Sequence, residues 1–313
     1  MASNPPIISF PYIGKYTPLF QELLESWGVR IILPPKITDK TIKIGSRHSS
    51  EMICFPYKVT LGNFIEALEE HPEIEYLLMY NSLGRCRFRH YHILQKQTLE
   101  NLGYKAKMVA LSYKNFLSLP KQLNPKLNTI QIIRSYWQLY KNIKNLSKIN
   151  KISKDKPNVI LIGEVYTCLE NSINYDIEER LEKFGINLIN TVELYSFVND
   201  QIKSFISGDF FAGKYRQLAK KYLDGPIGGH GLGNIEHLLK YIDKGIQGAV
   251  WFRPLSCMPE TTIDPIIKHV CQESNIPLLV FDVDESNFAL NIETRLETFV
   301  EQVKSHHARY EKR

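Results

Sequence analysis

The chain has 313 residues, 43% hydrophobic and 23% charged, a globular composition long enough for two domains of roughly 100–150 residues. No apolar run reaches the ~18–20 residues that cross a bilayer, and Met1-Ala2-Ser3-Asn4-Pro5-Pro6 lacks the basic flank and apolar stretch of a signal peptide, so a cytoplasmic protein without membrane contact is expected. The net charge of +6 comes from lysines and arginines spread along the chain, which argues against a nucleic-acid partner.

In chain order, the first third alternates strand and helix. Ile7 to Phe10 is a short apolar strand. Residues 17–27 carry Leu19, Phe20, Leu23 and Leu24 at helical spacing, with Gly28 as the stop, and 29–33 supplies the next strand. Then come a helix over 60–69, a strand over 76–80, a helix over 91–102 and a strand over 106–111. Such alternation predicts a parallel sheet flanked by helices.

The pattern then changes. Residues 128–150 place Ile133, Trp137, Tyr140, Ile143 and Leu146 at a 3–4 spacing, the pattern of one long amphipathic helix, which Lys154-Asp155-Lys156-Pro157 ends. The lysines at 141, 144, 148, 151, 154 and 156 suit a solvated helix face or an acidic partner. After Pro157 the first pattern returns: strands at 158–162, 186–190, 248–252 and 277–282, with helices at 177–184, 235–244, 261–274 and 293–304. Residues 197–222 read as mostly helical, with breaks at Gly208 and Gly213. The expected fold is therefore α/β: two doubly wound, Rossmann-like domains with parallel sheets, 1–118 and 157–313, joined by a helical connector, 119–156. Ligand sites in such sheets lie at the carboxyl ends of the strands.

Five cysteines, at 54, 86, 168, 257 and 271, form no CxxC pair and need no disulfide framework in a cytosolic chain. Cys54, Cys86 and Cys257 fall in loops at the sheet mouths. Pro56 and Pro259 each follow a cysteine by two, where a helix starts. Helix N-termini favour thiolates, and Lys58, Arg85, Arg87 and Arg89 flank two of the three. These residues suit an anionic metal–thiolate site; they also suit reduced, metal-free loop cysteines. Cys271 keeps step with Ile263, Ile267 and Val270, so it reads as core. Cys168 lies at a sheet mouth and is either core or a fourth ligand. Three further residues are candidates for chemistry: Glu164 after its strand and Glu260 after Cys257 as acid/base or supporting carboxylates, against helix caps; and His230, between Gly229 and Gly231, as a hydrogen-bond donor to a ligand, against a turn histidine.

The segments Cys54-Phe55-Pro56-Tyr57-Lys58, Gly84-Arg85-Cys86-Arg87 with Tyr91, and Ser256-Cys257-Met258-Pro259-Glu260 resemble the three cysteine motifs of the 2-hydroxyacyl-CoA dehydratase and benzoyl-CoA reductase subunits. They resemble especially the relatives of those subunits found fused to or beside acyl-CoA dehydratase activases. Ile162-Gly163-Glu164-Val165-Tyr166 and Gly228-Gly229-His230-Gly231 resemble further stretches in matching order, over about residues 5–304. The resemblance implies a [4Fe-4S] cluster on Cys54, Cys86 and Cys257 in the cleft between two domains, its fourth iron open to water or a small substrate. It implies an ATP-hydrolysing iron–sulfur activator as electron donor; in catalytic members the electron reaches a thioester carbonyl, giving a ketyl radical that loses water, or an aromatic ring. Gly225 to Gly233 lacks the Lys-Ser/Thr ending of a P-loop, consistent with an external ATPase. Two roles follow: a low-potential reductase or dehydratase-like radical enzyme, or an electron-transfer or accessory iron–sulfur protein without turnover. A homodimer through the connector is a further expectation.

Overall fold

Each apolar strand of the sequence takes its place in one of two parallel sheets. The computed structural model describes residues 5–81, 86–147, 151–208, 213–225, 227–286 and 291–310, and the chain divides into two units, Met1–Leu146 and Ser147–Arg313.

The first unit runs β1 (Ile7–Ser9), α1 (Thr17–Ser26), β2 (Arg30–Ile31), α2 (Asp39–Arg47), α3 (Phe55–Glu70), β3 (Tyr76–Tyr80), α4 (Tyr91–Asn101), β4 (Lys107–Leu111), α5 (Ser118–Leu123) and α6 (Thr129–Leu146). Its strands are all parallel, in the order β2-β1-β3-β4. The second unit runs β5 (Asn158–Gly163), α7 (Val165–Leu169), α8 (Asn171–Asn174), α9 (Ile177–Lys183), β6 (Asn187–Asn190), α10 (Leu194–Ser207), α11 (Lys214–Ala219), α12 (Gly231–Ile242), β7 (Gly248–Pro254), α13 (Met258–Glu273), β8 (Leu278–Val283) and α14 (Ile292–Tyr310). The order β6-β5-β7-β8, again all parallel, repeats the first. In both sheets the winding reverses beside the first strand, between β1 and β3 and between β5 and β7. That switch point is where a doubly wound sheet opens a crevice.

In the first unit, Leu23, Leu24 and Trp27 from α1 pack with Ile8, Phe10 and Leu78. The amphipathic helix predicted over 128–150 forms as α6; residues 148–150 lie outside the described ones. Its inner side packs on α1: Tyr136 meets the Trp27 ring edge-on at 5.7 Å, and the Trp27 indole donates to Ser135 Oγ at 3.0 Å.

The opposite side of the sheet is covered by α3, which is buried along nearly its whole length. Covering it is α2, a mostly polar helix that hydrophobic periodicity does not reveal. A capping box starts α2: Thr38 accepts from the Thr41 backbone, and the Thr41 hydroxyl accepts from the Thr38 backbone. The two helices touch backbone to backbone, because a Cβ at Gly62 would lie 1.9 Å from the Thr41 carbonyl oxygen and one at Gly45 would lie 1.7 Å from that of Lys58. Only glycine fits either position, and the contact fixes where the start of α3 sits.

In the second unit, β5 is buried at every residue, and α12 and α13 pack Leu232, Ile235, Leu238, Ile263, Ile267 and Val270 against the sheet. Cys271 lies in this core as expected, and burial lifts its thiol to about 12. The helical stretch expected over 197–222 is observed as α10 and α11, with 209–212 outside the described residues.

Candidate functional site

Cys54, Cys86 and Cys257 occupy the same kind of position. Each is the residue immediately before a helical turn, with extended backbone: φ, ψ of −66°, 146° for Cys54, −66°, 141° for Cys86 and −76°, 107° for Cys257. Cys54 leads directly into α3 and Cys257 into α13. Cys86 leads into a 3-10 turn, Arg87–His90, that runs on into α4. None of the three sulfurs caps the helix that it precedes. The helices begin earlier than hydrophobic periodicity predicts, at Phe55 and Met258 rather than near 60 and 261, because Pro56 and Pro259 occupy the first turn, where a missing N–H is tolerated. Cys86 follows β3 and Cys257 follows β7, equivalent strands of the two sheets and each beside its switch point.

Two contacts bring the Cys54 and Cys86 loops together. Cys54, 5% exposed, shares a hydrogen bond between its sulfur and the Tyr91 hydroxyl. Tyr91 is held edge-on by Tyr57 at 5.2 Å and by Phe88 at 5.0 Å. From the Cys86 side, Arg87 Nη1 donates to the Met52 carbonyl at 3.3 Å. Lys58 is buried one turn into α3 and so presents no charge to solvent, whereas Arg87 is exposed; Gly84 and Arg85 lie outside the described residues. Cys257 is buried too, and is aimed by Ser256, whose φ of +60° is a left-handed conformation that a serine rarely adopts. Among the described residues, no group of three or more His, Cys, Asp or Glu side chains is arranged to hold a metal ion.

The second unit assembles a buried polar network beside Cys257. Glu260 is 1% exposed and sits in the first turn of α13. It accepts hydrogen bonds from the Trp251 indole at 2.6 Å and from Asn234 Nδ2 at 3.0 and 3.2 Å. Asn234, in the first turns of α12, also clamps Gly163: its Oδ1 accepts from the Gly163 N–H and its Nδ2 donates to the Gly163 carbonyl, both at 3.1 Å. Gly163 is itself irreplaceable, with φ of +146° and room for no Cβ, since one would lie 2.4 Å from the Phe252 carbonyl oxygen. Burial lifts Glu260 to about 8, opposed by the Trp251 hydrogen bond and helped by the charge on Glu164.

The other candidates are placed differently. Glu164 caps α7, accepting from the Tyr166 and Thr167 N–H groups at 3.1 and 2.8 Å and from the Thr167 hydroxyl at 2.8 Å. Desolvation still lifts its carboxyl above the ordinary range. His230 precedes α12 and stacks on His237 with ring centroids 5.6 Å apart. Burial pushes it down to about 4, so it is a neutral imidazole at neutral pH. Cys168 packs beneath Gly163, and burial, then Glu164 and Glu260, hold it well above the usual thiol range; it is a neutral thiol.

Asn234 and Trp251 escape sequence reasoning. The available signals were an amide at the start of an otherwise apolar helix and an indole N–H in a fully buried strand, each of which needs a partner.

Two α/β units, each with a four-stranded all-parallel sheet wound in both directions from its first strand, define a protein of the Rossmann-like fold class. Residues 95–303 match the family described as 2-hydroxyglutaryl-CoA dehydratase, D-component. The match covers about two thirds of the 313 residues, and the chain belongs to that family, a dehydratase-type component of the acyl-CoA dehydratase system. It spans Glu164, His230, Cys257 and Glu260; Cys54 and Cys86 precede it. A comparison with curated proteins gives no match. No helix among the described residues is long and apolar enough to cross a membrane.

Proposed function

We propose that Cys54, Cys86 and Cys257 together hold one [4Fe-4S] cluster, that an ATP-hydrolysing iron–sulfur activator delivers its electron, and that a small substrate such as an acyl thioester is reduced at its open iron. The observation that supports this reading is the threefold recurrence of a cysteine at the same place, with extended backbone at the start of a helical turn. The donor set fits the group: thiolates are the usual ligands of iron–sulfur clusters, and the positive end of a helix favours both thiolate and sulfide. Bound there, the cluster supplies a low-potential electron and a Lewis-acidic iron.

The chain's own residues supply the rest. The Tyr91 hydroxyl, donating to the Cys54 sulfur, withdraws electron density and favours the reduced state. Glu260, lifted to about 8, holds a proton at neutral pH one helical turn from Cys257 and can give it to a product oxygen. His230, neutral at that pH and with its Nε2 buried and without a protein partner among the described residues, can donate a hydrogen bond to a bound ligand without adding charge. A closed four-ligand site on Cys168 is disfavoured by its placement, buried beneath Gly163 with its thiol donating to the Ile162 carbonyl at 3.8 Å. The test is EPR of the reduced protein with and without cyanide. An open iron predicts a changed spectrum on cyanide addition and none on Cys168→Ser. The opposite pair of outcomes contradicts it.

A further inference from the structure

The cations of this chain are spread along it, but the anions are not. From Asn101 to Lys154 the sequence holds eleven lysines and arginines and no aspartate or glutamate. Helix α6 lies within that stretch. Its inner side is occupied by Ile132, Tyr136 and Ile143, packed into the first unit. On the opposite side Ile130, Ile133 and Trp137 are 67%, 54% and 57% exposed. At 100° per residue, Arg134, Lys141 and Lys144 fall in the same outward sector. The indole is fixed in place: Tyr140 stacks on it at 5.7 Å, and Lys141 Nζ lies 5.5 Å from its ring centroid.

We infer that the outer face of α6 is a docking surface for an anionic lipid bilayer, the helix lying in the plane of the headgroups. Three observations select this occupant. An acid-free stretch of this length suits an extended surface of one sign, whereas a protein partner of mixed charge would be met by mixed charge. Exposed isoleucines neither stack on bases nor pair with phosphates, so a nucleic acid leaves Ile130 and Ile133 unused; the boundary between headgroups and acyl chains takes them in. A tryptophan beside lysines is the side chain most suited to that boundary. The contact is peripheral, and the first unit stays folded beneath it.

The structure provides its own reporter. Trp27 and Trp251 are fully buried, so of the three tryptophans only Trp137 senses a surface. Full-length protein is titrated with vesicles of phosphatidylcholine containing phosphatidylglycerol, and with phosphatidylcholine alone, following tryptophan emission and co-sedimentation. Expected are a blue shift, protection from acrylamide and co-sedimentation with the anionic vesicles only, all reversed by high salt. Each cation near such a surface contributes a factor of about five, so the double variant Arg134→Gln, Lys141→Gln should partition about 25-fold less. Trp137→Ala should lose the shift with its melting temperature unchanged. Three results would overturn the inference: no binding to anionic vesicles, equal binding to neutral ones, or a solution dimer that Ile133→Asp dissociates, which would assign this face to a second copy. None depends on the cluster.

Discussion

Replacing Glu260 by glutamine removes a buried proton-binding group while keeping its shape and an acceptor for Trp251. Lifting a carboxyl from 4.5 to about 8 means that between those pH values the native protein holds a proton that the unfolded chain has released. The folded form therefore loses stability as pH rises, at about 1.4 kcal/mol per pH unit, on the order of 5 kcal/mol across the full interval. The contribution is complete below about 4.5 and gone once pH passes about 8. His230, pushed down to about 4, and His237, also pushed down, act in the opposite sense below their ordinary value of 6.5, where the unfolded chain binds protons that the native state refuses. The clean window is therefore pH 6.5 to 8. There the wild type should lose about 2 kcal/mol more than Glu260→Gln in urea unfolding followed by circular dichroism. Parallel curves for the two proteins over that window would refute the placement of Glu260 as a buried, proton-holding acid.

Gly62→Ala puts a methyl group against the Thr41 carbonyl and should destabilise by about 3 kcal/mol or more, measured by denaturant unfolding; the ~1 kcal/mol gain ordinary for this change in an exposed helix would show that α2 and α3 do not cross so closely. Asn234→Ala removes both side-chain hydrogen bonds to Gly163 and leaves Glu260 with Trp251 as its remaining donor; it should cost about 3 kcal/mol, with Glu260 titrating higher still for the donor lost, as a shift in the pH–stability curve would reveal. Tyr91→Phe should leave iron content unchanged but lower the midpoint potential in an anaerobic redox titration, because one donor to the Cys54 sulfur is lost.

The strands were legible because runs such as Val159 to Ile162 are continuous apolar stretches with no other use in a folded protein. The starts of α3 and α13 were less so. Periodicity fails in a first turn, where Pro56 and Pro259 set the backbone instead of an apolar stripe; the prolines, each two residues after a cysteine, were the signal that a helix starts there. The polar helix α2 could be found only through the pair Thr38 and Thr41, since its stability comes from a glycine contact with a helix some twenty residues away. The three cysteines were visible as loop residues at sheet mouths. The partners of Glu260 were not: Trp251, Asn234 and Gly163 come together only when α12, α13 and two neighbouring strands pack. Glu164 shows the converse case, a carboxyl at a strand end whose oxygens are taken up by the helix it starts.

The central claim, that three cysteines carry one cluster, is tested most directly by iron and sulfide content after anaerobic purification. About four of each per chain are expected in the wild type and in Cys271→Ala, with both lost in Cys54→Ala, Cys86→Ala and Cys257→Ala. Wild-type iron in any one of those three variants would contradict the account.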